Sequence, residues 1–287
     1  MRRHRFWIQF RRASLIAPAW SVLGFLVLPI LIILPVSLTD TPYLSLPQSE
    51  LSLQHYEAFF SESVWLSATF QSIVIATGST FLAVVLGTTC AIGCWRLSNG
   101  FADAVRLLLL MPMIIPPVVQ GVAYFRFWAA LGLFDTYLGM IIAHTIVGLP
   151  FVTITVSASL ANFDPKLEQA ARSLGGSTLQ TVRYVVVPNI APGLLSGALF
   201  AFAHSFDEVV IPLFITSRNI YTLPKRIWDG VRESVDPTVA AAAMVLVTIT
   251  VGLLLLKFLI EQLRSRVSSR SDHGARNSAR AGRPQEA

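Results

Sequence analysis

The sequence predicts an all-α polytopic membrane protein with six transmembrane helices, both termini cytoplasmic, and a polar helical hairpin between the fourth and fifth spans. Three observations carry that prediction. Charged residues make up 13% of the 287 residues against 54% hydrophobic, whereas a soluble domain carries about 25% charged. Six apolar runs reach the roughly 20 residues needed to cross the hydrocarbon layer as helix. No alternation of period two recurs, and backbone in lipid must satisfy its own hydrogen bonds, so helices are favoured over a barrel.

The runs cover residues 15–38, 66–95, 105–131, 137–161, 190–216 and 238–260. The first is longer than a signal-peptide core and lacks a small-x-small cleavage site, so it reads as a retained span. The second holds Cys90 and Cys94, four apart on one helix face. That is poor disulfide geometry and too few ligands for a metal, so both read as small buried hydrophobes. In the third, Met111-Pro-Met-Ile-Ile-Pro-Pro117 breaks or kinks the helix; it is a candidate for lining a pathway, although prolines are also common in membrane helices. Arg126 in the same run calls for an acidic partner, the favoured reading, or a wet cavity. His144 in the fourth run reads as a helix–helix hydrogen bond rather than a proton relay. Gly193, Gly197 and Ala201 in the fifth form a small-x-x-x-small stripe for close helix contact.

One membrane domain is thus expected over 14–263, after an N-terminal cytoplasmic segment 1–13 and before a disordered basic cytoplasmic tail 264–287. The loop at 39–65 should contain a short surface helix starting near Ser52. It and the loop at 217–236 either meet an external partner or merely join spans.

Basic residues orient the chain. Arg2, Arg3, Arg5, Arg11 and Arg12 precede the first span; Arg96 and Arg106 lie between the second and third. Lys166, Arg172 and Arg183 lie between the fourth and fifth, and a further cluster from Lys257 to Arg283 closes the chain. Loop 39–65 has no Lys or Arg, so the positive-inside rule places both termini in the cytoplasm. Arg218, Lys225, Arg226 and Arg232 form the one basic external segment. The pI near 9.7 therefore reports orientation and lipid contacts rather than nucleic-acid binding.

The hairpin at 164–188 is the most informative segment. Asp164 suits an N-cap, and Pro165 suits the first helical position, where its missing N–H costs nothing. Leu167, Ala170, Ala171 and Leu174 fall at i, i+3, i+4 and i+7, a small flat apolar stripe. Gly175 and Gly176 end that helix where a left-handed residue is needed. Ser177 with Gln180 makes a capping box for a second helix, which Pro188 stops or bends. So short a helix is marginal in water and must be held by packing, either on this protein's own helix ends or on a partner.

These residues resemble the cytoplasmic motif of inner-membrane permeases of binding-protein-dependent ABC importers: EAA, three residues, Gly, nine residues, then I-x-L-P. Ala170, Ala171 and Gly175 match, and Val185, Val187 and Pro188 occupy the terminal positions. Gln169 stands where the motif has Glu, with Glu168 beside it. The resemblance implies half of a translocation pathway, paired with a second permease and seated on two ATPase subunits. It implies that Leu167, Glu168, Gln169, Ala170, Ala171, Leu174 and Gly175 form an ATPase-coupling helix, and that an external binding protein delivers the solute. It implies no catalytic residue and no cofactor in this chain. None of Lys166, Lys225 and Lys257 follows a G-x-x-x-x-G, so the sequence holds no phosphate-binding loop of that type and ATP hydrolysis is expected on another polypeptide.

For the solute, ionisable residues inside spans are costly and often functional. His204-Ser-Phe-Asp-Glu208 lies toward the far end of the fifth span, with Asp207 roughly 27 Å from Asn189 at 1.5 Å per residue. Adjacent carboxylates point in different directions, so at most one of Asp207 and Glu208 faces a pathway while the other packs or snorkels. They attract a cationic solute, or else anchor the helix end or a sister subunit. Asp207, Glu208 and Arg126 are the candidate pathway residues. Ser205-Phe-Asp-Glu-Val-Val-Ile-Pro212 and Thr222-Leu-Pro224 look like the spermidine/putrescine branch, although relatives carry opines, phosphonates or iron. An ion-gradient-driven secondary transporter is the alternative, but no inverted repeat is evident. A membrane enzyme would need clustered chemistry that His144, His204, Asp207 and Glu208 do not provide.

Overall fold

The computed structural model describes residues 2–233 and 236–281, with side chains at 18, 20–232 and 236–259. Every regular element among them is helical. Four helices are long and apolar enough to cross a membrane: α1 (Arg2–Ser37, through Trp20–Ser37), α3 (Ser63–Leu97), α6 (Tyr137–Ala161) and α13 (Thr238–Ala281, through Thr238–Leu259). Short α2 (Gln54–Ser61) precedes α3, close to where Ser52 placed a surface helix.

The third and fifth predicted spans are not single helices. α4 (Gly100–Ile114) and α5 (Pro117–Leu131) meet at 104°. Pro116 and Pro117 donate no N–H, and Ile115 before them takes an extended ψ of 128°. Gln120 closes the elbow: its buried amide donates to the carbonyls of Pro112 and Ile115, both at 2.8 Å. The hairpin's return limb and α10 (Ala191–Asp207) meet at 73° across Ile190. α10 stops at Asp207, short of the predicted end at 216, and α11 (Val210–Ile215) follows a two-residue break. Counting each bent pair as one span gives up to six.

The chain divides into two compact units. Met1–Ser67 with Arg226–Val247 form one, which includes most of α12 (Leu223–Glu233). Its buried side chains include Phe59, edge-on to Phe60 at 5.0 Å and near Trp65 at 5.9 Å. Ser37 hydroxyl meets Tyr56 hydroxyl at 2.8 Å.

Ala68–Lys225 with Thr248–Ala287 form the other unit. α6 is the most buried of the four unbroken spans, with 61% of its window lying inside. One core cluster joins Ala83, Ala91 and Ile92 of α3, Val152, Val156 and Leu160 of α6, and Ala201 of α10, with Val186 and Ile190 beside them. A second joins Ile75, Trp128, Met140, Ala143, Val147, Ile211 and Ile215. α10 approaches α6 closely because Gly193, Gly197 and Ala201 are small and buried. A Cβ on Gly197 would lie 2.5 Å from Thr155 Oγ1 and 2.9 Å from Val152 Cα. His144 Nδ1 hydrogen-bonds Ser205 Oγ at 2.7 Å, the interhelical bond expected of it. Cys90 and Cys94 are both free thiols.

The backbone of α13 continues as helix to Ala281, through much of the segment expected to be disordered. Its residues allow this, because no proline occurs before Pro284. The end of the predicted tail, 282–287, lies outside the described residues, as do the side chains of segment 1–13.

Candidate functional site

The hairpin folds as its residues dictate. The Asp164 carboxylate accepts the Lys166 N–H at 3.0 Å, and α7 (Pro165–Ser173) begins on Pro165. It ends in a Schellman turn: Gly175 N–H donates to Arg172 O at 2.9 Å and Gly176 N–H to Ala171 O at 3.1 Å. Gly175 takes φ +86°, the left-handed region where a side chain is strained. Ser177 and Gln180 form the reciprocal capping box that starts α8 (Thr178–Thr181). The return limb then widens into a π-helical turn, Val182–Val186, before α9 (Val187–Asn189). Pro188 offers no N–H to the turn behind it, and Asn189 Nδ2 instead donates to Val185 O at 2.7 Å.

The apolar stripe is open. Leu174 is 90% exposed and Leu167 46%, and Ala170 is also exposed; of the stripe only Ala171 is half-buried. Leu179 and Tyr184 on the return limb are exposed too. What holds α7 is its other face. Glu168 Oε1 receives Arg96 Nη2 from the end of α3 at 2.6 Å and lies 3.4 Å from Arg172 Nη2. Phe163, just before α7, is buried edge-on against Trp95 at 5.7 Å. Glu168 therefore turns inward, whereas the resemblance grouped it with the residues facing an ATPase; Gln169 points outward and is exposed.

The candidate pathway residues separate. Asp207 is exposed at the end of α10. Glu208 is buried, its Oε1 accepting the N–H groups of Val210 at 2.8 Å and Ile211 at 3.1 Å, so it caps α11. Its other oxygen lies 3.8 Å from His204 Nε2. One carboxylate packs and its neighbour stays open, as adjacency requires. Arg126 is exposed on α5, and among the described residues no carboxylate pairs with it. Among the described residues the ion pair expected for Arg126 is therefore not formed, its side chain lying exposed on α5. The elbow of α4 and α5 lines an open apolar pocket of about 500 Å³ beside Ile146 and Leu149 of α6.

Two determinants escaped sequence reasoning. Arg96 read as an orientation charge, and only folding brings it to Glu168. Asp135, at φ +56°, gathers the backbone N–H groups of Ser217, Arg218, Asn219 and Ile220 at 2.9–3.1 Å. Burial works against its charged form, but the four amides outweigh it and hold the carboxyl below 3.8.

Comparison with known proteins locates this geometry. The family model "Binding-protein-dependent transport system inner membrane component" matches residues 83–269. The spermidine/putrescine transport system permease protein PotC of Haemophilus influenzae is 30% identical over 239 residues, 83% of this chain and 93% of that protein. A probable molybdenum ABC transporter permease protein of Haloferax volcanii is 33% identical over 204 residues, 68% of this chain and 76% of that one. In fold, the chain resembles a bacterial ABC transporter involved in the import of the acidic polysaccharide alginate, with a TM-score of 0.65 at 15% identity, over 90% of this chain and 98% of that one.

Proposed function

The chain belongs to the family of binding-protein-dependent transport system inner membrane components, and we propose that it forms half of the pathway for a polyamine such as spermidine or putrescine. It is a multi-pass inner-membrane permease subunit of an ABC importer. On our reading each bent helix pair is one span, making six, and both termini are cytoplasmic. The hairpin at 164–188 then lies inside the cell, where α7 seats on a separate ATPase subunit. Two such subunits, a second permease and an external binding protein complete the importer.

The observation that carries this reading is the open stripe on α7. Leu174 stands 90% exposed beside the left-handed Gly175, at the end of a helix already fastened through Glu168. An apolar surface so placed needs a partner. The polyamine assignment draws on likeness to the Haemophilus permease and on Asp207, an open carboxylate at a break in the fifth span. Such a group suits a cation and opposes an oxyanion, which separates this reading from the molybdenum relative.

The test is uptake of labelled spermidine into proteoliposomes holding the complete importer and its binding protein. Uptake should need internal ATP, persist when ion gradients are collapsed, and resist competition by molybdate. Leu174→Cys should cross-link to the ATPase. Uptake that follows an ion gradient without ATP, or no cross-link in an active complex, would sink the proposal.

A further inference from the structure

We propose that Arg96 is a positioning residue for transport: its pair with Glu168 latches the coupling helix α7 to the end of α3, giving the hairpin a third mechanical link. This inference rests on the permease reading above. The resemblance implies that the hairpin pulls on the spans it joins covalently, α6 and α10. In this chain both of those links are interrupted. α6 ends at Ala161, and a three-residue turn separates it from Pro165, with Asn162 and Phe163 N–H donating back to Ser159 O and Leu160 O at 3.2 Å. The return limb passes through the π-helical turn Val182–Val186 and then bends by 73° at Ile190 before α10. Neither span runs on from α7 as one straight helix, so each covalent link passes through a turn or a bend.

The contact with α3 has no such break. α3 is one helix from Ser63 to Leu97, and Arg96 stands in its last turn. Arg96 and Glu168 meet at 2.6 Å, with side-chain exposures of only 26% and 13%. Separating them would leave the half-buried Arg96 charge without its partner and Glu168 with only its longer contact to Arg172, so the pair resists being pulled apart. Trp95, one residue earlier, packs on Phe163 and reinforces the same seat. Because Glu168 turns in to Arg96 while Leu174, at the C-cap of α7, stands exposed, a partner can grip the exposed stripe while the latch holds the buried side. Motion delivered to α3 reaches the bundle through Ser79, whose hydroxyl contacts Ser205 of α10 at 3.1 Å, and through Gly87, which lies against Val152 of α6.

The experiment measures spermidine uptake and ATP turnover together in proteoliposomes of the complete importer, comparing wild type with Arg96→Gln. The latch predicts that the ATPase still co-purifies and still turns over, while solute moved per ATP falls about fivefold or more, the lower range of ordinary coupling energies. The charge-reversed double variant, Arg96→Glu with Glu168→Arg, built in an Arg172→Gln background to remove the like charge that would otherwise face position 168, should recover much of that ratio. An unchanged ratio in Arg96→Gln overturns the latch, and so does loss of the ATPase from its complex, which would mean the pair only shapes the docking face. If Arg96→Gln fails to accumulate, the double variant decides: a restored ratio supports the latch. A double variant that accumulates without coupling, or that also fails to accumulate, overturns it in favour of a role in folding alone. A wild-type chain that never co-purifies with an ATPase would instead overturn the permease reading, which separates the two failures.

Discussion

The carboxylate of Asp135, between α5 and α6, accepts the backbone N–H of Ser217 at 2.9 Å across 82 residues of sequence. Three further amides, from Arg218, Asn219 and Ile220, converge on the same side chain, so one residue orders the turn after α11.

Asp135→Asn should loosen that turn, because an amide nitrogen cannot accept the two N–H groups that one carboxylate oxygen now takes. At so exposed a site the ordinary net value of about 0.5–1.5 kcal/mol per hydrogen bond applies, so losing two should cost about 1–3 kcal/mol locally. The pH dependence follows from the lowered carboxyl. Its contribution is complete above 3.8, the value expected when unfolded, and is lost as pH falls through the lower folded value. Hydrogen exchange at residues 217–220 should be equally slow, after correction for intrinsic rates, at pH 7 and 5. Protection should drop only below about pH 4, whereas Asp135→Asn exchanges faster at both higher pH values.

Gly175→Val should disturb coupling without unfolding the bundle. A β-branched residue at φ +86° pays the left-handed penalty of about 1–2 kcal/mol and opens the Schellman turn. No atom lies within 4 Å of the added Cβ, so backbone strain alone is being tested. The expected result is ATP turnover that no longer drives uptake, with thermal unfolding of the bundle little changed. Wild-type uptake and wild-type stimulated turnover in this variant would count against a role for the turn.

Asp207 and Glu208 should behave oppositely although they are neighbours. Asp207→Asn is expected to lower uptake of a cationic solute and leave stability alone, since the side chain is exposed. Glu208→Ala leaves the Val210 and Ile211 amides without their acceptor and should cost about 1–3 kcal/mol. Detergent-phase thermal melts alongside uptake assays separate the two. Equal uptake by Asp207→Asn and wild type would remove Asp207 from the pathway.

Gly193→Ala should force α10 away from α6. The new methyl would meet Ser159 Oγ and lie 2.6 Å from the backbone oxygen of Thr155, which cannot rotate aside. Overpacking of this kind costs about 1–3 kcal/mol. A melt matching wild type would show that the two helices separate easily.

Much was legible in the residues themselves because its physics is local. Apolar runs longer than the hydrocarbon layer marked the spans, and the fourth, 137–161, coincides with α6. Asp164, Pro165, Gly175 and the Ser177–Gln180 capping box delimited the hairpin, since each satisfies or terminates backbone hydrogen bonds within a few positions. The proline run announced a break in the third span but not its 104° angle. That angle depends on how α4 and α5 pack on their neighbours and on Gln120 reaching back to two freed carbonyls.

Only the tertiary structure decided which charges are structural. Glu168 and Gln169 are grouped together as coupling residues by the motif, yet Glu168 is turned inward to Arg96 and Gln169 faces out. Asp207 and Glu208 divide in the same way, into an open carboxylate and a buried cap. Local pattern sets where a helix begins, ends and shows an apolar face. A charge finds its partner through contacts formed across 70 to 85 residues of intervening chain, as in Arg96–Glu168 and Asp135–Ile220, and those distances are set when the helices pack.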